Sequence, residues 1–200
     1  MKTNFVNFTV VSDDSLPNAS HFSSWMKLLR STAWMLRFVT ACRTRERYEF
    51  DDLLLHEIQA AERIWWTKSQ RDSFPEEIAC LQHGRPIPKS SRLFQLNPVM
   101  DDSGLLRVKG RLGSAAMITD ETKNPLILDP KHQFVRVLIQ HYHERAGHHG
   151  QEFVANELRQ RYWILHLVRL FEALGIIVRC ARTIVQVLGH QRWDYCQIQE

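Results

Sequence analysis

Apolar residues in the first part of the chain recur at steps of three and four, the spacing that places side chains on one face of a helix. The first such stripe predicts a helix over residues 23–45 and consists of Trp25, Leu28, Leu29, Thr32, Met35, Leu36 and Val39. A second stripe predicts another helix and consists of Phe50, Leu53, Leu54, Ile58, Ala61 and Trp65. We expect the two helices to pack as a hairpin, because each stripe needs an apolar partner.

The pattern then changes to short elements. Residues 73–76 read Ser-Phe-Pro-Glu, the form of a capping box, and predict a short helix that starts at Ser73 and ends near Gly84. Two prolines within residues 85–88 end any helix. Extended runs at 93–96 and 105–108, separated by the turn-forming residues 101–104, predict a small β hairpin.

The second half of the chain begins with a short apolar run at residues 126–128. Asp129 followed by Pro130 has the form of a helix start. Three helices are predicted after it; their apolar faces are Phe134, Val135, Leu138, Ile139 and Tyr142, then Phe153, Val154, Leu158 and Tyr162, then Leu167, Leu170, Phe171 and Leu174. The predicted fold is therefore mainly α with a small β hairpin: a helical pair followed by a three-helix domain.

The domain organisation follows from where apolar periodicity is weak. Residues 1–20 are polar and predict a disordered leader. The low-periodicity stretch between Leu112 and Asn124 predicts a boundary between a first region, 21–122, and a second, 123–185. Residues 186–200 form a divergent tail.

Composition and charge narrow the class of protein only slightly. A hydrophobic content of 44% in 200 residues indicates a globular chain, and a net charge of +4 permits contact with phosphates without indicating a dedicated polycationic binder. The four cysteines are widely spaced, so we expect reduced thiols, those of Cys42 and Cys80 buried. No signal peptide or bilayer-spanning run is evident, which predicts an intracellular protein of the cytoplasm or nucleus that does not enter a membrane.

The chemistry-bearing residues lie between positions 141 and 183. His143 and His148 stand five positions apart on either side of Ala146 and Gly147, and Cys180 lies 32 positions after His148. Imidazole and thiolate are the ligands that structural zinc sites use, usually two from each of two segments. A Cys-x-x-Cys pair would complete such a set, but Thr183 stands where the last cysteine would be. A histidine pair near a helix end is otherwise most often polar surface.

These residues resemble the integrase zinc-binding domain of BEL/Pao-type retrotransposons. The similar segments occur in the family's order within residues 22–183; they are 29–38, 61–62, 88–93 and 104–112, then 138–148 and 157–164. By this resemblance His143, His148 and Cys180 match zinc ligands, and the fold of residues 123–185 is that of the integrase-type zinc domain. With Thr183 in place of the fourth ligand, zinc binding is expected to be weak or absent. His190 and Cys196 are possible substitutes, although neither has the expected spacing.

The resemblance implies a non-catalytic fragment of an integrase region that binds DNA or self-associates. No downstream carboxylate constellation is present to hold magnesium, so we expect neither an enzyme nor a small-molecule substrate. The candidate contacts to DNA phosphates are Arg159, Arg161, Arg169 and Arg182. The alternative is that these arginines form a basic surface that is exposed to solvent and binds no partner. The tryptophans, including Trp65 and Trp66, are expected in the core rather than as base-stacking platforms. The alternative to the whole interpretation is an inert, metal-free helical remnant, which Thr183 and the end of the chain at Glu200 favour.

Overall fold

The computed structural model describes residues 16–45, 52–109, 120–147 and 150–173. This part of the chain is mainly helical with one four-stranded sheet. The helices are α1 (Trp25–Thr44), α2 (Leu55–Ser73), α3 (Pro75–Gln82), α4 (Asp120–Lys123), α5 (Gln133–Arg145), α6 (Gln151–Arg159) and α7 (Leu167–Ala173), and the strands are β1 (Pro98–Met100), β2 (Leu106–Val108), β3 (Leu126–Leu128) and β4 (Tyr162–Ile164). None of the helices in these ranges has the length and apolar character needed to cross a bilayer.

The predicted helical pair is confirmed. Helices α1 and α2 pack against each other, and the first stripe is buried at Trp25, Leu28, Leu29 and Leu36. The second helix begins at Leu55, so Leu53 and Leu54 precede it, and Phe50 lies outside the described residues. Within the predicted leader, residues 16–20 are described and contain a short 3-10 turn, Ala19–His21, capped by the side chain of Asn18. Residues 1–15 and the tail lie outside the described ranges.

Three predicted element boundaries are wrong, and at the first and third of them a side chain has a tertiary environment that the local pattern does not show. Ser73 is the last residue of α2 and does not cap α3; the N-cap is Phe74, whose ring is fully buried. Residues 94–96 form a 3-10 turn, and the first strand of the hairpin starts at Pro98. Asp129 does not start α5, because its carboxylate accepts hydrogen bonds from the Lys131 N–H and from Arg92.

A fourth difference changes the topology. Tyr162, assigned from the sequence to the face of a helix, lies in β4, because α6 already ends at Arg159. Strand β4 runs parallel to β3, whereas β1, β2 and β3 are antiparallel, and the strand order is β1-β2-β3-β4. The sheet therefore combines strands from both sides of the predicted boundary at 112–124.

The core lies on both faces of β3, all three residues of which are buried. Leu126 and Leu128 belong to the larger cluster, in which Phe134 of α5 contacts Trp25 and Trp65 with ring centroids 4.7 and 5.4 Å apart, respectively. Ile127 faces a smaller cluster with Phe74, Leu93, Leu106 and Leu165. Burial of this apolar area is the main stabilising contribution to the fold, and it joins residues from positions 19 to 171.

Gln70 connects α2 to the sheet through its buried side-chain amide. The amide nitrogen donates to the carbonyl oxygens of Leu106, at 2.9 Å, and of Ile127, at 2.8 Å. The amide oxygen accepts the Leu106 N–H at 2.8 Å. Strands β2 and β3 pair in register only at Arg107 and Leu126. Gln70 therefore provides hydrogen-bond partners for buried backbone groups that direct strand pairing leaves without a partner.

The second polar connection joins α1 to the start of α2. The Arg37 Nε donates to Glu57 at 2.7 Å, and a second bond joins the Arg37 Nη2 to the same carboxylate. Glu57 also accepts the Leu54 N–H at 2.8 Å and so caps its own helix. Hydrogen bonds from Arg37 hold the pKa of Glu57 below its ordinary value, despite the opposing effect of burial.

We expect Gln70→Ala to lower the free energy of unfolding by about 3 kcal/mol or more, because three buried backbone groups lose their partners. Chemical denaturation of the full chain measures the difference. Gln59→Ala, at an exposed position of the same helix, is the matched control and should change stability by less than about 1 kcal/mol. Equal effects of the two variants would contradict the role assigned to the amide.

We expect Glu57→Gln to lower the free energy of unfolding by about 2 kcal/mol at neutral pH, through loss of charged hydrogen bonds. The pKa of Glu57 is lowered in the folded state. Its stabilising contribution is therefore fully present above the ordinary carboxyl pKa, and it is lost as the pH falls through the pKa that Glu57 has in the folded protein. The difference from the native chain should therefore shrink in acid. Denaturation across a pH series tests this, with exposed Glu76→Gln as the control; a difference independent of pH would rule it out.

Candidate metal site and basic surface

His143 lies on the last turn of α5 and is only 1% exposed. The helix ends at Arg145, and Gly147 then takes a left-handed φ of 58°, a conformation that side-chain-bearing residues seldom adopt. The chain thus turns out of the helix immediately after His143, and α6 begins at Gln151. His148, Cys180 and Thr183 lie outside the described residues. Of the three predicted ligands, the structure places His143 alone.

Aromatic side chains make contacts at the last turns of α5. Tyr142 makes edge-on contacts with His141 and with Tyr162 of β4, whose ring in turn meets Trp66 of α2. Tyr162 is buried, and its hydroxyl donates to Glu62 at 3.3 Å. Burial, together with the neighbouring Glu62 carboxylate, raises the pKa of Tyr162, so the phenol stays neutral. These contacts hold the end of α5 against both the sheet and α2.

His141 differs from His143 in its exposure and surroundings. It is half-buried, and burial is the main cause that lowers its pKa. The positive charge of Arg145 acts in the same direction, and Glu144 opposes it. The imidazole of His141 is therefore neutral at pH 7. Successive helix positions point about 100° apart, so His141 and His143 lie on different sides of α5.

Among the described residues, no three His, Cys, Asp or Glu side chains are grouped closely enough to hold a metal ion. The two described cysteines are Cys42, which is exposed on α1, and Cys80, which is partly buried on α3. The expectation of a buried thiol is wrong for Cys42, because that helix extends past the core. A site of three or more such ligands that includes His143 would therefore need at least one ligand from outside the described ranges.

A cavity of about 210 Å³ lies between the start of α3 and residues 88–92. Part of its polar lining is already engaged: Ser91 donates to Glu77 at 2.5 Å, and Arg92 binds Asp129 at 2.8 Å. Arg92 also lies over the Phe74 ring, at 5.4 Å. These contacts attach residues 88–92 to α3 and to the residue after β3, so these side chains stabilise the fold.

The predicted phosphate-binding arginines occupy the end of α6, the turn into β4, and α7. Arg159 and Arg169 are exposed. Arg161 is half-buried, with its guanidinium 5.6 Å from the Tyr162 ring centroid. Helix α6 contacts both β4 and α7, so the elements that bear these three residues adjoin. Arg182 lies outside the described residues.

Sequence reasoning missed Trp163 as a surface residue. It is 42% exposed between buried Tyr162 and Ile164, because alternate residues of β4 point to opposite faces. The expectation of core tryptophans is confirmed for Trp25 and Trp65 and is wrong for Trp163 and Trp34. If residues 162–164 had been predicted as a strand, the alternation of side chains along it would have indicated that Trp163 faces solvent.

Comparison of the chain with protein-family models, with curated proteins and with solved structures finds no match. The resemblance to retrotransposon integrases therefore remains an expectation drawn from the motif residues alone.

The start of α5 offers a test of how the helix is held. His132 is its N-cap: the Nδ1 atom accepts the Phe134 N–H at 3.3 Å, and Nε2 lies 3.2 Å from Asp72. We expect His132→Ala to lower the free energy of unfolding by about 1 kcal/mol. His132→Asn should retain most of the native stability, because asparagine can also cap a helix. Thermal or chemical denaturation distinguishes them; equal losses would show that the contact with Asp72 matters instead.

Proposed function

We propose that the chain is a non-catalytic part of a retrotransposon integrase region of the BEL/Pao type, with a degenerate zinc-binding module that binds DNA or self-associates during DNA integration. The observation that supports this best is the burial of His143 on the last turn of α5. Gly147 lets the chain turn directly after it, as a second ligand at His148 requires. A buried imidazole beside such a turn is what a structural metal site needs.

The donor set determines what the metal would contribute. Two imidazoles and one thiolate, from His143, His148 and Cys180, are suitable zinc ligands, and Thr183 cannot replace a second thiolate. Zinc bound to three protein ligands would add less to folding than in a closed four-ligand site. Its role in this proposal is structural: it would link the end of α5 to the segment around Cys180.

The basic residues give the proposed module its DNA contact. Arg159 and Arg169 are exposed and Arg161 is half-buried, so at least two guanidinium groups are accessible to phosphates, and Arg182 is proposed to join them. Contacts of this kind bind without sequence preference and weaken as salt increases. Self-association is the other proposed activity of the same module.

A second candidate, a metal-free helical protein without a nucleic-acid role, is supported by the core. Phe134, Leu138, Leu158 and Phe171 are buried in one continuous apolar cluster with α1 and α2. An ordinary core of this size can hold α5, α6 and α7 without a metal. The two candidates therefore differ in metal content and not in fold.

Zinc content of the purified full chain tests the proposal. We expect up to one zinc per chain, lowered by His143→Ala and unchanged by His141→Ala, the matched control on the other side of α5. We also expect Thr183→Cys to raise zinc affinity and to raise the melting temperature only when zinc is present, because a fourth ligand couples metal binding to folding.

A chain that carries no zinc, has the same stability with and without chelator, and gains no affinity from Thr183→Cys would contradict the metal site and favour the second candidate. Loss of zinc in His143→Ala must be compared at equal helicity by circular dichroism, because a buried substitution can also unfold the end of α5.

A further inference from the structure

Helix α1 carries charge of one sign. Residues 25–44 contain four basic side chains and no aspartate or glutamate. The basic residues are Lys27, Arg30, Arg37 and Arg43. This excess stands out against the whole chain, which has 26 basic and 22 acidic residues. A surface of this kind favours a polyanionic partner.

The outward side of α1 also exposes large apolar residues. Met26, Trp34 and Phe38 are 41%, 37% and 69% exposed, respectively, although the helix buries Leu28, Leu29 and Leu36 on its other side. Arg30 lies between the first two, four residues from each, and residues four apart are neighbours on a helix surface. We call these residues, with Lys27, the outer face of α1.

The cations on the outer face are available. Neither Lys27 nor Arg30 makes an ion pair with any acidic residue that the structure describes, and both are exposed. Trp34 is held in place, since the Arg37 guanidinium lies 4.6 Å from its ring centroid and is itself bound to Glu57. Binding therefore costs little additional side-chain entropy at Trp34, because its ring is already held in place in the free protein.

We propose that the outer face of α1 binds single-stranded nucleic acid, with Lys27 and Arg30 contacting phosphates and Phe38 and Trp34 stacking on bases. Proteins that bind single strands without sequence preference combine these two kinds of side chain, because phosphates and bases alternate along the strand. This surface lies on a different element from Arg159, Arg161 and Arg169, and the proposal does not depend on zinc.

The arrangement of the residues favours a nucleic acid over an anionic membrane. A helix that lies on a lipid surface inserts its apolar face and keeps its cations on the other side. In α1 the apolar face is buried in the protein core, and on the outer face the cations are interspersed with the aromatic rings. Insertion of Phe38 and Trp34 into lipid would bring Lys27 and Arg30 towards the hydrocarbon.

Fluorescence anisotropy of labelled oligothymidylate with the full chain, over a range of salt concentrations, tests the proposal. We expect Lys27→Gln/Arg30→Gln to weaken binding by about tenfold and to reduce the slope of log K against log salt by about 1.4, since each single-strand phosphate contact contributes about 0.7. Phe38→Ala should weaken binding by about tenfold with the slope unchanged, because stacking releases no counterions.

Lys131→Gln/Arg136→Gln, which removes two exposed cations near the start of α5, is the control of equal charge and should leave both affinity and slope nearly unchanged. If both double variants lose the same affinity, the effect is due to net charge and not to the outer face of α1, and the proposal is overturned. It would also be overturned if the native chain binds phosphatidylserine vesicles but no oligothymidylate, or if Phe38→Ala has no effect. Binding that survives removal of zinc but is lost in the α1 variants would separate this surface from the proposed metal module.

Discussion

The fold depends on one buried amide, that of Gln70, which occupies the place where β2 and β3 stop pairing directly. A backbone N–H or carbonyl that is buried without a partner costs about as much as several surface interactions contribute. Gln70 supplies partners for Leu106 and Ile127, so the sheet can continue although its two middle strands share a single register pair. The same side chain fixes α2 on the sheet and so determines where the rest of the helical layer can pack.

The position of α5 follows from that arrangement. With α2 fixed, Trp65 presents its ring to Phe134 and its indole N–H to Thr32 of α1, and three helices meet at one aromatic cluster. The far end of α5 is held by Tyr142 and Tyr162, and there His143 is buried. The core that stabilises the helices therefore also determines the position of the candidate metal ligand.

The two proposed binding surfaces use different physical means. At the end of α5 a metal would link neighbouring segments of the chain, so its effect would be on folding and on the presentation of nearby arginines. On α1 the exposed cations and aromatic rings would contact a strand directly, and Trp34 is already held in place by Arg37. Both proposals describe a protein that acts by binding. At the cavity beside α3, Ser91, Glu77 and Arg92 are engaged in holding residues 88–92 in place.

The sequence by itself determined the features that depend on local spacing. Helices α1, α2, α5, α6 and α7 and most of their buried positions were predictable, because helical periodicity depends on residues three and four positions apart. Leu54 and Phe153, assigned to apolar faces from the sequence, are exposed instead. Only the tertiary structure decided that Tyr162 lies in a strand, that β4 runs beside β3, that Asp129 binds Arg92 instead of capping a helix, and that Gln70 enters the sheet. Each of these depends on a partner thirty or more positions away, and a buried polar group adopts whichever arrangement satisfies its hydrogen bonds.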